Sequence, residues 1–254
     1  MKRKLMAFVL GAGILCAGCG GPEAATPPKP DSLVQPVGPD PAPPPPPIDT
    51  VPPMSEYERT FIDSGLVEVQ EFIPGIRVDL KYSTSDNFVS ADVYGTLDRC
   101  YLRGEAAEKL KQAQALLQES HPGYSLLLYD CTRPHRVQQV MWDQLDIPYK
   151  RNYLAPPSEG SVHNYGCAVD LTLTDSTGTP LDMGTPFDFF GPLAQPQREA
   201  EMLRTGQLTE TQHKNRLLLR RTMRQAGFYD IRTEWWHFNA FTNRTTKSRF
   251  TRIP

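Results

Sequence analysis

The feature that most constrains this sequence is a set of four metal-binding and acid–base side chains in two segments far apart along the chain. The first segment reads S-V-H-N-Y-G-C-A-V-D and contains His163 and Asp170, and the second reads E-W-W-H and contains Glu234 and His237. Two imidazoles and one carboxylate can bind zinc through three protein ligands and leave a fourth position open. A further carboxylate nearby can accept a proton, which completes the groups that metal-assisted hydrolysis requires. A fold that uses these residues together has to bring both segments to one point.

The residues around the first motif indicate how its ligands are presented. Residues 167–174 alternate as in a β-strand, so Asp170 would share one face of the strand with Ala168. A carboxylate in such a strand is costly to bury unless it is paired or bound to a metal. Gly166 would let the backbone turn tightly between His163 and the strand. Taken singly, each ligand would instead be read as a loop histidine or a surface acid.

Glu234 and His237 are three positions apart, a spacing with different consequences in a helix and in a strand. In a helix the two side chains would share one face, whereas in a regular strand they would point to opposite faces. The aromatic neighbours Trp235, Trp236 and Phe238 favour a strand, so we expect a bulge or turn between the acid and the histidine. The two tryptophans are expected to pack in the core or against a pocket.

Hydrophobic periodicity and chain-breaking residues predict a mixture of helices and strands. Helices are predicted over 104–120, 134–145 and 209–225. Strands are predicted over 125–129, ending at Asp130, over 167–174, and from Phe228 towards Phe238. The long helices do not alternate regularly with parallel-strand signals. We therefore expect an α+β fold with a central, mostly antiparallel sheet flanked by helices.

Residues 1–19 are typical of a bacterial export signal. A basic start, Met1-Lys2-Arg3-Lys4, precedes an apolar run from Leu5 to Leu15 that is too short for a permanent membrane-spanning helix. Small residues then precede Cys19, as in signals whose cysteine is lipidated and becomes the new N-terminus. We therefore predict a lipoprotein signal peptide over 1–19 with lipidation at Cys19. An ordinary cleaved signal peptide is the alternative.

Residues 20–53 are rich in proline and include the unbroken run Pro43 to Pro47. This composition cannot bury apolar surface and favours extended polyproline II structure, so we predict a disordered linker. At about 3.1 Å per residue, its full extension is on the order of 100 Å. Such a linker could tether a folded domain away from a membrane, and a docking site for a partner protein is a second use.

Residues 54–254 have the length of one domain with a sizeable core. The formal net charge of -2 offers no basic patch for nucleic acid, and no later stretch is apolar enough to cross a membrane. Three cysteines lie in this region, Cys100, Cys131 and Cys167, and two of them could pair in an oxidising compartment. Because Cys167 lies inside the metal motif, we hypothesise a disulfide between the other two.

The motifs resemble those of the zinc D-Ala-D-Ala dipeptidases of the VanX type, within the wider family of D,D-peptidases that carry an S-x-H-x-x-G-x-A-x-D motif. Beyond the two segments described above, the similarity includes D-L-K-Y at 79–82, Y-D-C-T-R-P at 129–134 and M-G-T-P-F-D at 183–188. These pieces follow the family's order over roughly residues 66–239. The last of them and E-W-W-H favour the dipeptidase branch over the carboxypeptidase branch. The resemblance implies the zinc D,D-peptidase fold, which is also that of hedgehog proteins.

The resemblance also implies a role for each matching residue. His163, Asp170 and His237 would ligate one zinc ion, Glu234 would be the general base, and Arg133 would stabilise the negative charge that develops on the scissile carbonyl. The implied substrate-binding residues are Tyr82, Ser161, Asp188 and Asp130, with Tyr94 as a looser match. Asp188 would pair with the free ammonium group, and Asp130 would orient the site. The ligand set alone would also accept cobalt or nickel.

The implied reaction is hydrolysis of the D-Ala-D-Ala dipeptide to two D-alanines. Combined with the export signal, this predicts a membrane-anchored lipoprotein that faces the periplasm or cell wall and hydrolyses dipeptide released during wall turnover, which supplies D-alanine as a nutrient. A D,D-carboxypeptidase or a peptidoglycan endopeptidase on the same scaffold is the first alternative. A non-catalytic wall-binding lipoprotein is the second, although Glu234 and Arg133 argue against it because binding alone needs no general base.

Overall fold

The structure, a computed structural model, describes residues 54–145 and 153–254. Within these ranges it contains seven α-helices and seven β-strands, which confirms the predicted mixture of both. The signal peptide, the lipidation site Cys19 and the proline-rich linker lie outside the described residues. None of the helices in the described part combines the length and apolar character that a membrane span requires.

The helices and strands follow one another without a regular alternation. The helices are α1 Glu56–Asp63, α2 Val69–Phe72, α3 Gly104–Ser120, α4 His135–Asp143, α5 Glu199–Arg204, α6 Glu210–Gln225 and α7 Asn243–Arg249. The strands are β1 Leu66–Glu68, β2 Arg77–Val78, β3 Tyr101–Arg103, β4 Ser125–Asp130, β5 Ala168–Thr174, β6 Tyr229–Asp230 and β7 His237–Asn239. A short 3-10 helix, Val162–Tyr165, directly precedes β5.

Five strands form the central sheet, in the order β2-β4-β5-β7-β6. The β2–β4 pairing is parallel, and the other three pairings are antiparallel. Strands β1 and β3 form a separate antiparallel pair. Every residue of β4 and β5 is buried, so these two neighbouring strands are covered on both faces. Side chains on these strands lie in the interior unless a cavity reaches them.

Helix α3 covers the sheet and has the bounds that its periodicity predicts. Its apolar stripe, which includes Ala106, Leu110 and Leu117, is fully buried, and the helix packs against α6 and β4. Burial of a leucine side chain contributes about 1.5–3 kcal/mol. Helix α6 begins after Thr209, whose hydroxyl accepts a hydrogen bond from the backbone of Gln212 in a capping box.

Two predicted elements differ from the structure by more than one residue. The helix predicted over 134–145 begins at His135, because Pro134 is the residue that precedes the helix, and it ends at Asp143. The single strand predicted from Phe228 towards Phe238 is instead two short strands, β6 and β7, which pair antiparallel with each other. Alternation of residue types does not reveal that the chain reverses direction within such a segment. The loop 231–236 makes this reversal.

The hypothesised disulfide between Cys100 and Cys131 is present, and Cys167 is a buried free thiol. The bond joins the residue before β3 to the residue after β4, with a sequence separation of 31 residues. It therefore fixes the end of a central strand to a segment outside the central sheet.

Replacing both Cys100 and Cys131 by serine is expected to lower the free energy of unfolding by about 2–4 kcal/mol, because a cross-link of this span restricts the unfolded chain. Urea denaturation of the wild type and the double variant without reductant measures the difference. Wild type treated with reductant should match the variant. Equal stability of the oxidised wild type and the variant would contradict a stabilising role for the bond.

Candidate active site

Three side chains of the candidate site come from adjacent strands of the central sheet. Asp170 in β5 is in register with Asp130 in β4 on one side and with His237 in β7 on the other. A register shift between Leu128 and Asp130 brings Asp130 into this row. Facing residues on neighbouring strands have Cβ atoms about 4.5–5.5 Å apart. Strand pairing alone thus places two carboxylates and an imidazole side by side.

His163 reaches the same point from the 3-10 helix before β5. Ser161 precedes this helix, and its hydroxyl accepts a hydrogen bond from the backbone N–H of His163 at 3.3 Å. Gly166 ends the helix with φ at 70°, and a Cβ there would lie 3.0 Å from side-chain atoms of Leu66 and Thr132. The tight turn predicted at this glycine is confirmed.

Three potential metal-ligand atoms converge at the end of the row. Nε2 of His163 lies 3.1 Å from Nδ1 of His237 and 3.3 Å from Oδ1 of Asp170, and these last two atoms are 3.0 Å apart. Four ligands arranged tetrahedrally about 2.0–2.1 Å from a zinc ion lie about 3.3 Å from one another. The three atoms thus have the spacing of one face of such a tetrahedron. In the described part of the chain, this is the cluster able to hold a metal ion.

The second ring nitrogen of each histidine contacts an oxygen acceptor. Nδ1 of His163 lies 2.7 Å from the carbonyl oxygen of Cys131, and Nε2 of His237 lies 2.9 Å from Oδ1 of Asn239. A ring N–H at each of these positions donates to the oxygen and leaves the other nitrogen unprotonated. Metal-binding histidines in proteins are usually held in this way.

The charges of the cluster also suit a cation. Burial by itself would raise the pKa of Asp170, but the imidazoles of His163 and His237 outweigh it and hold that pKa well below its usual range. Burial opposes protonation of His163, yet Asp170 and Asp130 raise the pKa of its imidazole. The buried carboxylates therefore favour positive charge at this point. A bound dication supplies that charge, so the residues fit a metal ion in charge as well as in spacing.

Glu234 lies in the loop between β6 and β7, beside the ligand cluster. Its Oε2 is 4.0 Å from Nδ1 of His237, and the side chain is buried. Burial is the main reason that the pKa of Glu234 is raised to about 8, and Asp170 and Asp188 add to the effect. The loop confirms the turn expected between Glu234 and His237. Because of it, both side chains border the same cavity.

The tryptophans next to Glu234 are buried, as predicted, and hold the loop in place. Trp235 donates its Nε1–H to Oγ1 of Thr185 at 2.8 Å. Trp236 packs edge-on against Phe187, with ring centroids 5.5 Å apart, and it also lines the cavity. The loop that carries Glu234 is therefore anchored to the segment that contains Thr185 and Phe187.

Arg133 is buried and fixed by two partners. Its Nε donates to Oδ2 of Asp130 at 3.0 Å, and its Nη1 donates to Oε1 of Gln138 at 3.0 Å. The guanidinium also lies over the ring of Tyr82, 5.2 Å from the centroid. Burial would lower the pKa of Arg133, but the charge of Asp130 outweighs it and raises that pKa. Arg133 is thus a permanent cation in a fixed position.

These residues surround a cavity of about 350 Å³, which is a typical volume for a small-molecule site. The predicted site residues in its wall are Tyr82, Arg133, Ser161, His163, Asp170, Asp188, Glu234 and His237. Asp130 is completely buried behind Arg133, where its Oδ1 accepts a hydrogen bond from the Tyr94 hydroxyl at 2.5 Å. Asp130 and Tyr94 therefore act on the cavity through Arg133 rather than from its wall.

Asp188 faces this cavity from an unusual backbone conformation. Its φ is 58°, in the left-handed region that non-glycine residues rarely adopt. The Tyr82 hydroxyl donates to Oδ2 of Asp188 at 2.9 Å. Burial, together with the charges of Asp170 and Asp130, raises the pKa of Asp188 well above its ordinary value. Strained residues of this kind are often found at functional sites, and this carboxylate favours a cationic partner.

Sequence reasoning missed several polar residues around the site, and four of them bear on its chemistry. Gln138 is completely buried and links Arg133 to the carbonyl oxygen of Ala155, the latter at 2.7 Å. Asn239 follows His237 by two positions in β7, a spacing that places both on one face of the strand and that could have indicated the contact. Asn243 and Lys247 of α7 also line the cavity. No motif pointed to α7.

Replacing Asn239 by alanine is expected to weaken zinc binding by about 10–100-fold, because His237 loses the acceptor that orients its ring. Competition with a metal chelator measures the affinity. Asn215→Ala is the matched control, since the Asn215 amide donates to the carbonyl oxygen of Asp182 and neither residue lines the cavity. Equal zinc affinities of the two variants would show that Asn239 does not support the ligand.

Comparison with known proteins gives the family. Residues 63–253 match the sequence profile of a peptidase family described as D-Ala-D-Ala dipeptidase. The D-alanyl-D-alanine dipeptidase of Escherichia coli strain K12 is 34% identical over 173 residues, which cover 68% of this chain and 83% of that protein. The D-alanyl-D-alanine dipeptidase of Enterococcus faecium is 31% identical over 198 residues, which cover 70% of this chain and 92% of that protein. With a clustered pair of histidines and an aspartate, a neighbouring glutamate and a fixed arginine around one cavity, the chain belongs to the D-Ala-D-Ala dipeptidase family of peptidases.

Proposed function

We propose that this protein is a zinc-dependent dipeptidase that hydrolyses D-Ala-D-Ala to two molecules of D-alanine. The observation that carries the proposal is the convergence of ligand atoms from His163, Asp170 and His237, which lie 3.0–3.3 Å apart beside Glu234. The family supports the choice of substrate, because its relatives bear that substrate in their names. We propose further that the domain has the zinc D,D-peptidase fold, and its mostly antiparallel central sheet supports this assignment.

In this proposal the three clustered residues hold the zinc ion. When bound, zinc polarises a carbonyl group and makes water a stronger nucleophile at neutral pH. His163 and His237 keep their ring protons on the nitrogens that face Cys131 and Asn239, so each presents a lone pair to the cluster. Asp170 adds a negative charge from a rigid strand.

Glu234 is the proposed general base. Its carboxylate lies at the edge of the ligand cluster and inside the cavity. There it accepts a proton from the attacking water and then delivers it to the nitrogen of the departing D-alanine. A carboxylate whose pKa is raised by burial holds a proton more readily than an exposed one, which suits the second half of this transfer.

Arg133 is proposed to stabilise the transition state. Its guanidinium is held by Asp130 and Gln138 before any substrate arrives, so no reorganisation is needed as negative charge develops on the carbonyl oxygen. Arginine suits this position because it remains charged at any relevant pH. Loss of one such donor typically lowers the rate about 10²–10³-fold.

The ends of the dipeptide would be recognised at the cavity wall. Asp188, oriented by the Tyr82 hydroxyl, is the proposed partner of the ammonium group. The Ser161 oxygen already accepts a hydrogen bond from the backbone of His163, and its own proton can be donated to an oxygen of the substrate. A pocket that leaves a buried charge unpaired would reject the ligand, so matched ends favour a free dipeptide.

The function is tested by incubating the zinc-loaded protein with D-Ala-D-Ala and with a peptidoglycan pentapeptide stem. We expect D-alanine to be released from the dipeptide and not from the pentapeptide, because only in the dipeptide are the two terminal charges close enough together to be paired within one small cavity. Release of terminal D-alanine from the pentapeptide alone would support the carboxypeptidase alternative. Binding of wall peptides without any cleavage would support the non-catalytic alternative.

Two variants separate the proposed roles within the same assay. Glu234→Gln should retain zinc but lose turnover by about 10²–10⁴-fold, the usual contribution of a general base. His237→Ala should lower both the zinc content and the rate. Full activity of the first variant would identify another base, and unchanged zinc content of the second would remove His237 from the ligand set.

We also propose that the protein is an exported lipoprotein, with a signal over 1–19, a linker over 20–53 and the catalytic domain over 54–254. The basic and apolar start and the cysteine at position 19 support this reading. An anchored enzyme outside the cytoplasm would convert D-Ala-D-Ala released by wall turnover into D-alanine as a nutrient.

Cys19→Ala is expected to move the protein from the membrane fraction to the soluble fraction. Wild-type protein found soluble in the cytoplasm would contradict the proposal.

A further inference from the structure

We propose that Lys247 binds the free carboxylate of the dipeptide and thereby selects substrates that end at the second residue. This inference rests on the proposed function, because a free dipeptide carries one ammonium and one carboxylate. Asp188 is the proposed partner of the ammonium group. Recognition of the carboxylate at the other end of the dipeptide calls for a cationic group in the cavity wall.

Lys247 lies in the cavity wall on a helix packed against the metal-ligand segment. Lys247 and Asn243 are four residues apart on α7 and therefore share one face of the helix, and both line the cavity. Helix α7 packs against the 3-10 helix that carries His163, and Thr246, which precedes Lys247, is fully buried. The position of the lysine backbone is therefore fixed, while its side chain is free to reach a ligand.

The charges in the wall single out this lysine. The wall contains two long cationic side chains, Arg133 and Lys247. Arg133 is already paired with Asp130 and bonded to Gln138. Among the residues that the structure describes, Lys247 has neither an ion-pair nor a hydrogen-bond partner. It is thus the cation of the wall that remains available to a substrate carboxylate.

A lysine side chain suits a terminal carboxylate better than an uncharged hydrogen-bond donor does. The Ser161 hydroxyl can donate one hydrogen bond but carries no charge, whereas the ε-ammonium of Lys247 is a full charge on a flexible stem. A peptide extended beyond the second residue has an amide in place of the carboxylate. Such a peptide would lose the ion pair and would also have to fit more atoms into the cavity.

The test measures binding in a zinc-loaded Glu234→Gln background, which does not consume the ligand. The probes are D-Ala-D-Ala and D-alanyl-D-alaninamide, which differ only at the carboxyl end, where an uncharged amide replaces the carboxylate. Kd is measured by calorimetry. Adding Lys247→Met should weaken binding of the free acid about five-fold, the size of one solvent-exposed ion pair, and leave binding of the amide within two-fold. Lys247→Arg should retain the preference for the acid.

Arg244→Met is the matched control, because it removes one positive charge from the same helix at an exposed residue outside the cavity wall. It should leave both affinities unchanged. Equal weakening of acid and amide by Lys247→Met, or an equal effect of Arg244→Met, would overturn the assignment. In turnover by the otherwise wild-type enzyme, Lys247→Met should raise KM with kcat within two-fold.

The two proposals fail in different ways. Wild-type enzyme that binds D-Ala-D-Ala without releasing D-alanine would overturn the proposed function, while the acid-to-amide comparison would still decide the role of Lys247. Turnover of the dipeptide with no change in KM for Lys247→Met would overturn the role of the lysine alone. Absence of D-alanine release by the wild type, together with failure of the Glu234→Gln protein to bind either probe, would overturn both.

Discussion

The facing pair of buried carboxylates, Asp130 and Asp170, is the constraint on which the rest of the site depends. They are in register on β4 and β5, and 0% and 3% of their respective surfaces are exposed. Two such charges are tolerated in an interior only where each has a cationic partner. Arg133 pairs with Asp130 and comes within 3.8 Å of Asp170. On the other side of Asp170, the two imidazoles and the proposed metal ion offset its negative charge. The proposed metal binding and the stability of the fold therefore depend on the same buried charges.

Residues 130–133 connect this pair of carboxylates to the other elements of the site. The carbonyl oxygen of Cys131 faces the ring of His163, and the backbone N–H of Arg133 donates to the carbonyl oxygen of His163 at 3.1 Å. The disulfide ties the same segment to Cys100. One short stretch thus carries a buried acid, supports a metal ligand, fixes the arginine and bears the cross-link. Its rigidity is a condition for the 3.0–3.3 Å spacing of the ligand atoms.

What the sequence predicted and what it missed differ in physical kind. The bounds of α3 follow from local periodicity, and the convergence of His163, Asp170 and His237 follows from the chemistry that a metal site needs. The reversal between β6 and β7 depends on which strand pairs with which, and periodicity carries no information about that. Gln138 meets the carbonyl oxygen of Ala155, and Lys247 reaches the cavity, only because elements distant in sequence pack together. The sequence neighbours of these two residues give no signal of such contacts.

The residues proposed for catalysis and those proposed for substrate recognition lie on different structural elements. The proposed metal ligands and Asp130 belong to the buried centre of the sheet and its flanking 3-10 helix, where a small shift would disrupt the core. Glu234 is on a loop, but the contacts of Trp235 with Thr185 and of Trp236 with Phe187 hold that loop in place. Asp188 and Lys247, by contrast, come from the loop after β5 and from helix α7. In the proposed function these two residues recognise the ends of the peptide, so changes there would alter which peptide ends are accepted without replacing a proposed metal ligand.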